Sequence, residues 1–269
     1  MHKPAALALA LVFFAILPAA ADTWLLGGAI ADGVVDNEDS GLIDITGIHN
    51  AVYDADLPYV ADLWVYLRWE GEGEHTIDIE VLDPWGDVVA DLSDDVDFED
   101  YATNFTTHSL ANTVFEDEGS YTVVVYVDGE ETLNLPYIVN DDSEAPEEPY
   151  LLMSVPAVDG WGGDGLGEVE GAFEHYTFAR FPAADDFAIV TLWFSGYDTY
   201  VQRVEITDPD GKVVGTSEEQ DLDAWPGELA VLTDYFENFL FRKPGDYLVT
   251  VYLDDEEMIS YTLRASIAK

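Results

Sequence analysis

Asp117-Glu118-Gly119-Ser120-Tyr121-Thr122-Val123-Val124-Val125-Tyr126-Val127-Asp128 reads as a glycine turn feeding a strand, with Tyr121, Val123, Val125 and Val127 on one face. A period of two is the mark of a half-buried strand in an antiparallel sheet. The stretch returns at an offset of 126 as Gly245-Asp246-Tyr247 followed by Val249-Thr250-Val251-Tyr252-Leu253-Asp254, and Phe115 is matched by Phe241. Upstream, Asp83-Pro84-Trp85-Gly86 with Val88-Val89 returns at an offset of 125 as Asp208-Pro209-Asp210-Gly211 with Val213-Val214. Several residue types matching in order at nearly constant spacing mark a tandem duplication.

The copies are separated by Asn140-Asp141-Asp142-Ser143-Glu144-Ala145-Pro146-Glu147-Glu148-Pro149. Its acidic, proline-containing composition is that of an extended linker. The expected organisation is therefore a first unit over 22–142, a linker over 143–149 and a second unit over 150–269, each of ordinary domain size. Alternation predicts strands near 41–49, 62–70, 75–83, 87–91, 105–114, 120–128 and 131–139. The second unit repeats them near 168–180, 187–195, 199–207, 212–216, 229–241, 246–253 and 256–265. The segment 229–241 is the weakest of these strands, because Leu229, Leu232, Tyr235 and Phe236 also fit the spacing of a short helical turn. Asp-Pro-x-Gly and Asp128-Gly129 are turn sequences, in which proline presets one φ and glycine accepts a positive one. About seven short strands per unit predict an all-β chain of two antiparallel β-sandwiches, each with its own interior.

Asp117-Glu118-Gly119-Ser120-Tyr121-Thr122-Val123 resembles the motif before strand F of immunoglobulin-like domains: Asp, any, Gly, any, Tyr, any, Cys. Val123 stands where the cysteine would be, so the family's inter-sheet disulfide is absent. Tyr121 falls where the resemblance places a tyrosine corner. The second unit keeps Gly245 and Tyr247 but has Lys243 in place of the aspartate. By this resemblance the chain is expected to hold two tandem bacterial immunoglobulin-like domains of about seven strands each. That scaffold carries many functions and fixes none.

The amino terminus reads as an address. Met1-His2-Lys3 is basic, Ala5 to Leu17 is apolar, Pro18 breaks the run, and Ala19-Ala20-Ala21 precedes Asp22. This is the pattern of a secretory signal peptide over 1–21. The apolar run is too short for the ~20 residues of a spanning helix. The mature chain is thus expected in the periplasm or outside the cell, with no membrane span.

Among 269 residues, 56 are acidic, 9 are basic and none is cysteine, giving a formal charge of −47. Nucleic-acid binding by phosphate neutralisation needs clustered Lys and Arg and is excluded. The absence of cysteine excludes disulfides and thiolate sites. Residues 22–149 carry 33 carboxylates against Arg68 alone, whereas 150–269 carry 23 against seven basic side chains. The plain reading is a halophile-type surface whose self-repulsion is screened by salt. The sharper one is calcium, which takes six to eight oxygens. Its candidate ligands are Asp141, Asp142 and Glu144 at the junction, beside the acidic run Asp91 to Asp100; no other cofactor is expected.

No histidine pair, serine elbow or other catalytic spacing is present, and the chain is expected not to be an enzyme. Trp85 on its turn and Trp161 in Asp159-Gly160-Trp161-Gly162-Gly163 are candidate ligand contacts. Trp225 is expected to fold back over a sandwich end. The expected role is a structural, adhesion or protein-interaction module that meets an envelope or extracellular protein. The alternatives are a carbohydrate-binding module using exposed tryptophans on a glycan, and a calcium-stiffened tandem domain.

Overall fold

The structure is a computed structural model that describes residues 24–37, 42–98, 103–140, 146, 148–163, 165–223 and 225–268. The leader expected over 1–21, the linker carboxylates Asp141, Asp142 and Glu144, and Glu99 and Asp100 lie outside those residues. Among the described residues the regular structure is entirely strand. The first repeat forms β1 (Trp24–Asn37), β2 (Leu42–Ile48), β3 (Ala51–Val52), β4 (Tyr59–Glu70), β5 (Gly73–Leu82), β6 (Val88–Phe98), β7 (Asn104–Phe115), β8 (Gly119–Val127) and β9 (Glu130–Val139). The second forms β10 (Tyr150–Ala157), β11 (Asp159–Gly163), β12 (Leu166–Ala172), β13 (His175–Phe178), β14 (Ala183–Phe194), β15 (Tyr200–Thr207), β16 (Val213–Thr216), β17 (Gln220–Leu222), β18 (Leu229–Phe241), β19 (Gly245–Leu253) and β20 (Glu256–Ile267).

One face of the first repeat is the sheet β3-β9-β8-β5-β6; its counterpart in the second is β13-β20-β19-β15-β16, with β17 also on β15. The opposite faces are joined differently. In the first repeat β1 is one strand that pairs with β4 through Ala31 and then with β2 from Ala31 onward. In the second the equivalent chain breaks after Ala157, so β10 pairs with β14 and β11 pairs with β12.

β12 then pairs antiparallel with β2, so the sheet β7-β4-β1-β2 continues into β12-β11. The partners are Ile48 with Gly167, Ile45 with Val169 and Ile43 with Ala172. Gly47 and Gly171 hold equivalent places in the two strands, each with φ near +62°. In that alignment Ile45 is the counterpart of Val169, and the other two pairs exchange counterparts. The repeats therefore meet as a homodimer does across a two-fold axis, one strand against its own copy.

β1 and β10 approach closely beside this axis. Gly27 has φ +149°, and a Cβ there would lie 2.4 Å from the carbonyl oxygen of Leu152, so only glycine fits.

The interior follows the pairing. One core contains Ile43, Ile45, Val65 and Tyr121 together with Met153, Val169 and Leu192. A second is built on Phe187, Trp193, Tyr247 and Tyr261 and takes Leu26 from β1. This corrects the expectation that each sandwich closes its own interior. Each large apolar side chain buried at the seam contributes about 1.5–3 kcal/mol, more than an exposed tether supplies.

Other expectations shift in detail. The run Asp91–Asp97 extends β6 to Phe98, and the strand expected over 168–180 is divided into β12 and β13. The segment 229–241 is strand β18.

The duplication reaches individual hydrogen bonds. Tyr121 Oη donates to the Asp117 carbonyl at 3.0 Å, and Tyr247 Oη donates to the Lys243 carbonyl at 3.0 Å. Asp83 Oδ1 accepts the amides of Trp85 and Asp87, as Asp208 Oδ1 accepts those of Asp210 and Lys212. Gly119 and Gly245, at φ +147° and +139°, leave no room for a Cβ against Pro84 and Pro209. The same strand start is thus clamped to the same turn in both copies.

Candidate functional site

At the clamped end of each repeat the two copies differ in side-chain chemistry. In the first, the Asp83 turn and the Glu116-Asp117 turn face each other across a groove lined by Asp83, Val89, Val114, Glu116, Asp117 and Tyr121. Its sides are the start of β6 and the end of β7, and its floor is the buried Tyr121 ring. Burial pushes the Tyr121 phenol up, and the nearby Asp117, Asp83 and Glu116 carboxylates add to the shift. Three acidic residues thus line the groove with no basic side chain of the first repeat beside them, since Arg68 is enclosed elsewhere. Trp85 stands on the rim, next to Pro84 on the same turn, and is 69% exposed.

The second repeat builds the same corner with other chemistry. Asp210 replaces Trp85, Arg242 replaces Glu116, and Lys243 replaces Asp117. The Lys243 ammonium pairs with Asp210 across the equivalent gap. The Asp208 carboxyl is held below the ordinary range, first by the Lys212 amide and further by the Lys243 and Lys212 charges. One corner is an open acidic groove, and the other is closed by a cation belonging to the chain itself.

The remaining sequence candidates are dispersed. Trp161 is on β11, 48% exposed, beside Asp159, whose carboxylate accepts the Tyr235 hydroxyl. Trp225 is 77% exposed, which corrects its expected place over the core. Asp91, Asp94, Asp95 and Asp97 are strung along edge strand β6, where successive side chains alternate faces. Asp94 lies 3.6 Å from the His108 ring, and Asp95 accepts the Thr76 hydroxyl. Among the described residues no group of three or more His, Asp or Glu is gathered to hold a metal ion.

One residue acquires a role that alternation does not reveal. Arg68 is fully buried at the seam between the repeats. Its Nη1 donates to the Ser154 carbonyl at 2.6 Å, its Nε donates to Glu174 at 3.4 Å, and its guanidinium lies 4.1 Å from the centre of the Tyr261 ring. Burial opposes the Arg68 charge, but Glu174, Tyr261 and Tyr66 outweigh it and hold the group above its ordinary value. Burial pushes Glu174 up against the pull of Arg68. Tyr66 Oη, Arg68 Nη2 and Glu174 Oε1 are buried and have no hydrogen-bond partner among the described residues. Such orphans are costly, so the pair adds little net stability, while loss of either partner would leave the other buried and uncompensated. The signal in sequence was the count: a single basic side chain among 33 acids.

A family model described as a family of unknown function, DUF6941, matches residues 28–140 and again residues 164–266. No curated protein matches the chain. Among solved structures, a DUF4785 family protein from Legionella pneumophila shows 11% identity and a TM-score of 0.23, over 83% of this chain and 56% of that one. The chain thus spans little more than half of that protein's length, and a TM-score this low speaks for neither fold nor function.

Proposed function

We propose, for a chain that belongs to the DUF6941 family of unknown function, that it is a non-enzymatic protein-interaction module of the periplasm or cell exterior. In this reading the body is a pair of immunoglobulin-like sandwiches fused at their edges, and its acidic surface is of the halophile type. The observation that carries the proposal is the divergence of the two corners. A scaffold duplicated down to its tyrosine and aspartate hydrogen bonds has closed one corner with Lys243 and left the other open beside a turn that carries the exposed Trp85. Matching chemistry would be expected if the corners served only to end the sheets. An exposed aromatic beside a shaped groove is the kind of anchor that interfaces concentrate energy on.

The test is retention of the purified chain on the envelope fraction of its own cells. Retention is expected in the wild type, loss in Trp85→Ala, and no change in Trp225→Ala. Retention that ignores every change around the groove would end the reading. A second reading, glycan binding, is favoured by the exposure of both Trp85 and Trp161. Retention that survives protease digestion of the envelope and falls with Trp161→Ala would select it.

A further inference from the structure

We propose that the groove of the first repeat takes a lysine or arginine side chain from a basic, extended polypeptide segment. The inference rests on the interaction-module reading and names the chemistry of its partner. It starts from the internal comparison. In the second repeat the corresponding corner is occupied by an ammonium group, Lys243 Nζ, held on Asp210 beside Asp208. Asp208 is the counterpart of Asp83 and makes the same two turn hydrogen bonds. A cation is thus seated against this turn in the second repeat, on Asp210, where the first repeat has Trp85.

The first repeat keeps the turn and removes the cation. Asp117 stands where Lys243 stands, and Glu116 where Arg242 stands, so two positive positions have become negative. Asp83, Glu116 and Asp117 all line the one groove above Tyr121, and their charges act in the same direction on its phenol. Carboxylates crowded around a low-dielectric wall favour a cation that brings its own hydrogen-bond donors.

The rest of the groove selects among cations. Val89 and Val114 form apolar sides, both more than a third exposed. They suit the methylene stem of lysine or arginine, which lies on apolar surface while its head group reaches acid. Trp85 on the rim offers a ring face to a guanidinium or ammonium. A bare metal ion would use none of these apolar contacts.

The chain's overall charge would attract any cation, so the experiment is set where that attraction is screened. At about 1 M salt the Debye length is about 3 Å, and diffuse attraction is largely lost while contact pairs inside a groove persist. The probe is the peptide acetyl-Lys-Val-Lys-Val-Lys-amide, titrated calorimetrically into the whole chain, with the Glu-for-Lys peptide as reference. One basic peptide is expected per chain and no binding of the acidic one.

Glu116→Arg with Asp117→Lys copies the second repeat into the first and is expected to weaken binding by at least about tenfold, the loss of charge-assisted bonds. Asp91→Lys with Asp97→Arg makes the same charge change on β6 and is expected to leave the affinity within about twofold, as screening predicts. The reverse graft, Asp210→Trp with Arg242→Glu and Lys243→Asp, is expected to raise the stoichiometry from one peptide to two. Melting midpoints confirm that each variant is folded.

Equal losses in the two charge-changed variants, or no binding at all, would overturn the cation assignment. If the peptide does not bind but envelope retention still depends on Trp85, the partner is of another chemistry and the module reading stands. If retention is also indifferent to Trp85, both fall.

Discussion

The corners of the two repeats and their shared seam differ between the copies in different ways. At the corners the backbone is copied bond for bond while the side chains have reversed sign, Glu116-Asp117 against Arg242-Lys243. At the seam the strands are also copied, but the side chains have diverged in size: Ile43, Ile45 and Ile48 face Ala172, Val169 and Gly167. In the two outer pairs a large side chain meets a small one, which keeps the seam filled. Exposed turns can therefore change charge at little structural cost, whereas paired strands can change only in compensation.

The seam contains its own asymmetry, and it gives the largest expected effect. Arg68 lies opposite Gly27 in β1, and its counterpart Leu192 lies opposite Met153 in β10. Arg68→Ala should lower unfolding stability by about 3–5 kcal/mol, because it leaves Glu174 buried without its partner. Arg68→Leu with Glu174→Gln, which brings the site closer to the second repeat, should recover most of that loss. Urea unfolding in high salt measures both. A cost for Arg68→Ala that matches an ordinary surface substitution would show that the pair does not hold the repeats in place.

The tyrosines sharpen the comparison by predicting equality. Tyr121→Phe and Tyr247→Phe each remove a hydroxyl that donates to a backbone carbonyl at 3.0 Å and accepts neighbouring amides, that of Asp117 in the first repeat and those of Arg242 and Lys243 in the second. Each should cost about 1 kcal/mol. Thermal unfolding of the two variants side by side would break the equivalence if one were silent and the other severe.

The smallest effect is in pH. Burial raises Glu70 above its ordinary 4.5, against the Thr262 hydrogen bonds. A carboxyl raised in the folded chain keeps its proton to higher pH than in the unfolded chain, so its contribution is full below 4.5 and is lost as pH rises through the raised value. Wild type should therefore lose stability with rising pH just above the ordinary carboxylate range. Glu70→Gln should flatten that slope and leave the chain no less stable at neutrality. Melting midpoints across that range at fixed high salt, wild type minus variant, isolate the term from the rest of the acidic surface.

How much of this was legible in sequence depends on whether the signal was local. The repeat, the turns at Asp83 and Asp208, and the hydrogen-bonding tyrosines were readable because each is written in a few adjacent residues and written twice. Strands β1 and β10 were not, because Gly27-Gly28 and the continuous apolar run of Leu151-Leu152-Met153 lack alternation. Residues 92–98 were passed over as strand because aspartates on an exposed edge look like a solvated loop, though charge on an edge strand also discourages unwanted pairing. The groove was half legible. Trp85 was singled out, but Glu116 and Asp117 reach it only through the fold. The seam was not legible at all, since it depends on strands more than a hundred residues apart and on a face of β4 that is buried although it carries Tyr66 and Arg68.

The pairing of β2 with β12 also decides what the chain is mechanically. Two bodies on a string swing independently and transmit no torque. Two bodies that share a ladder of amide bonds and part of one filling are expected to turn together, so that tension between them loads the ladder rather than the string.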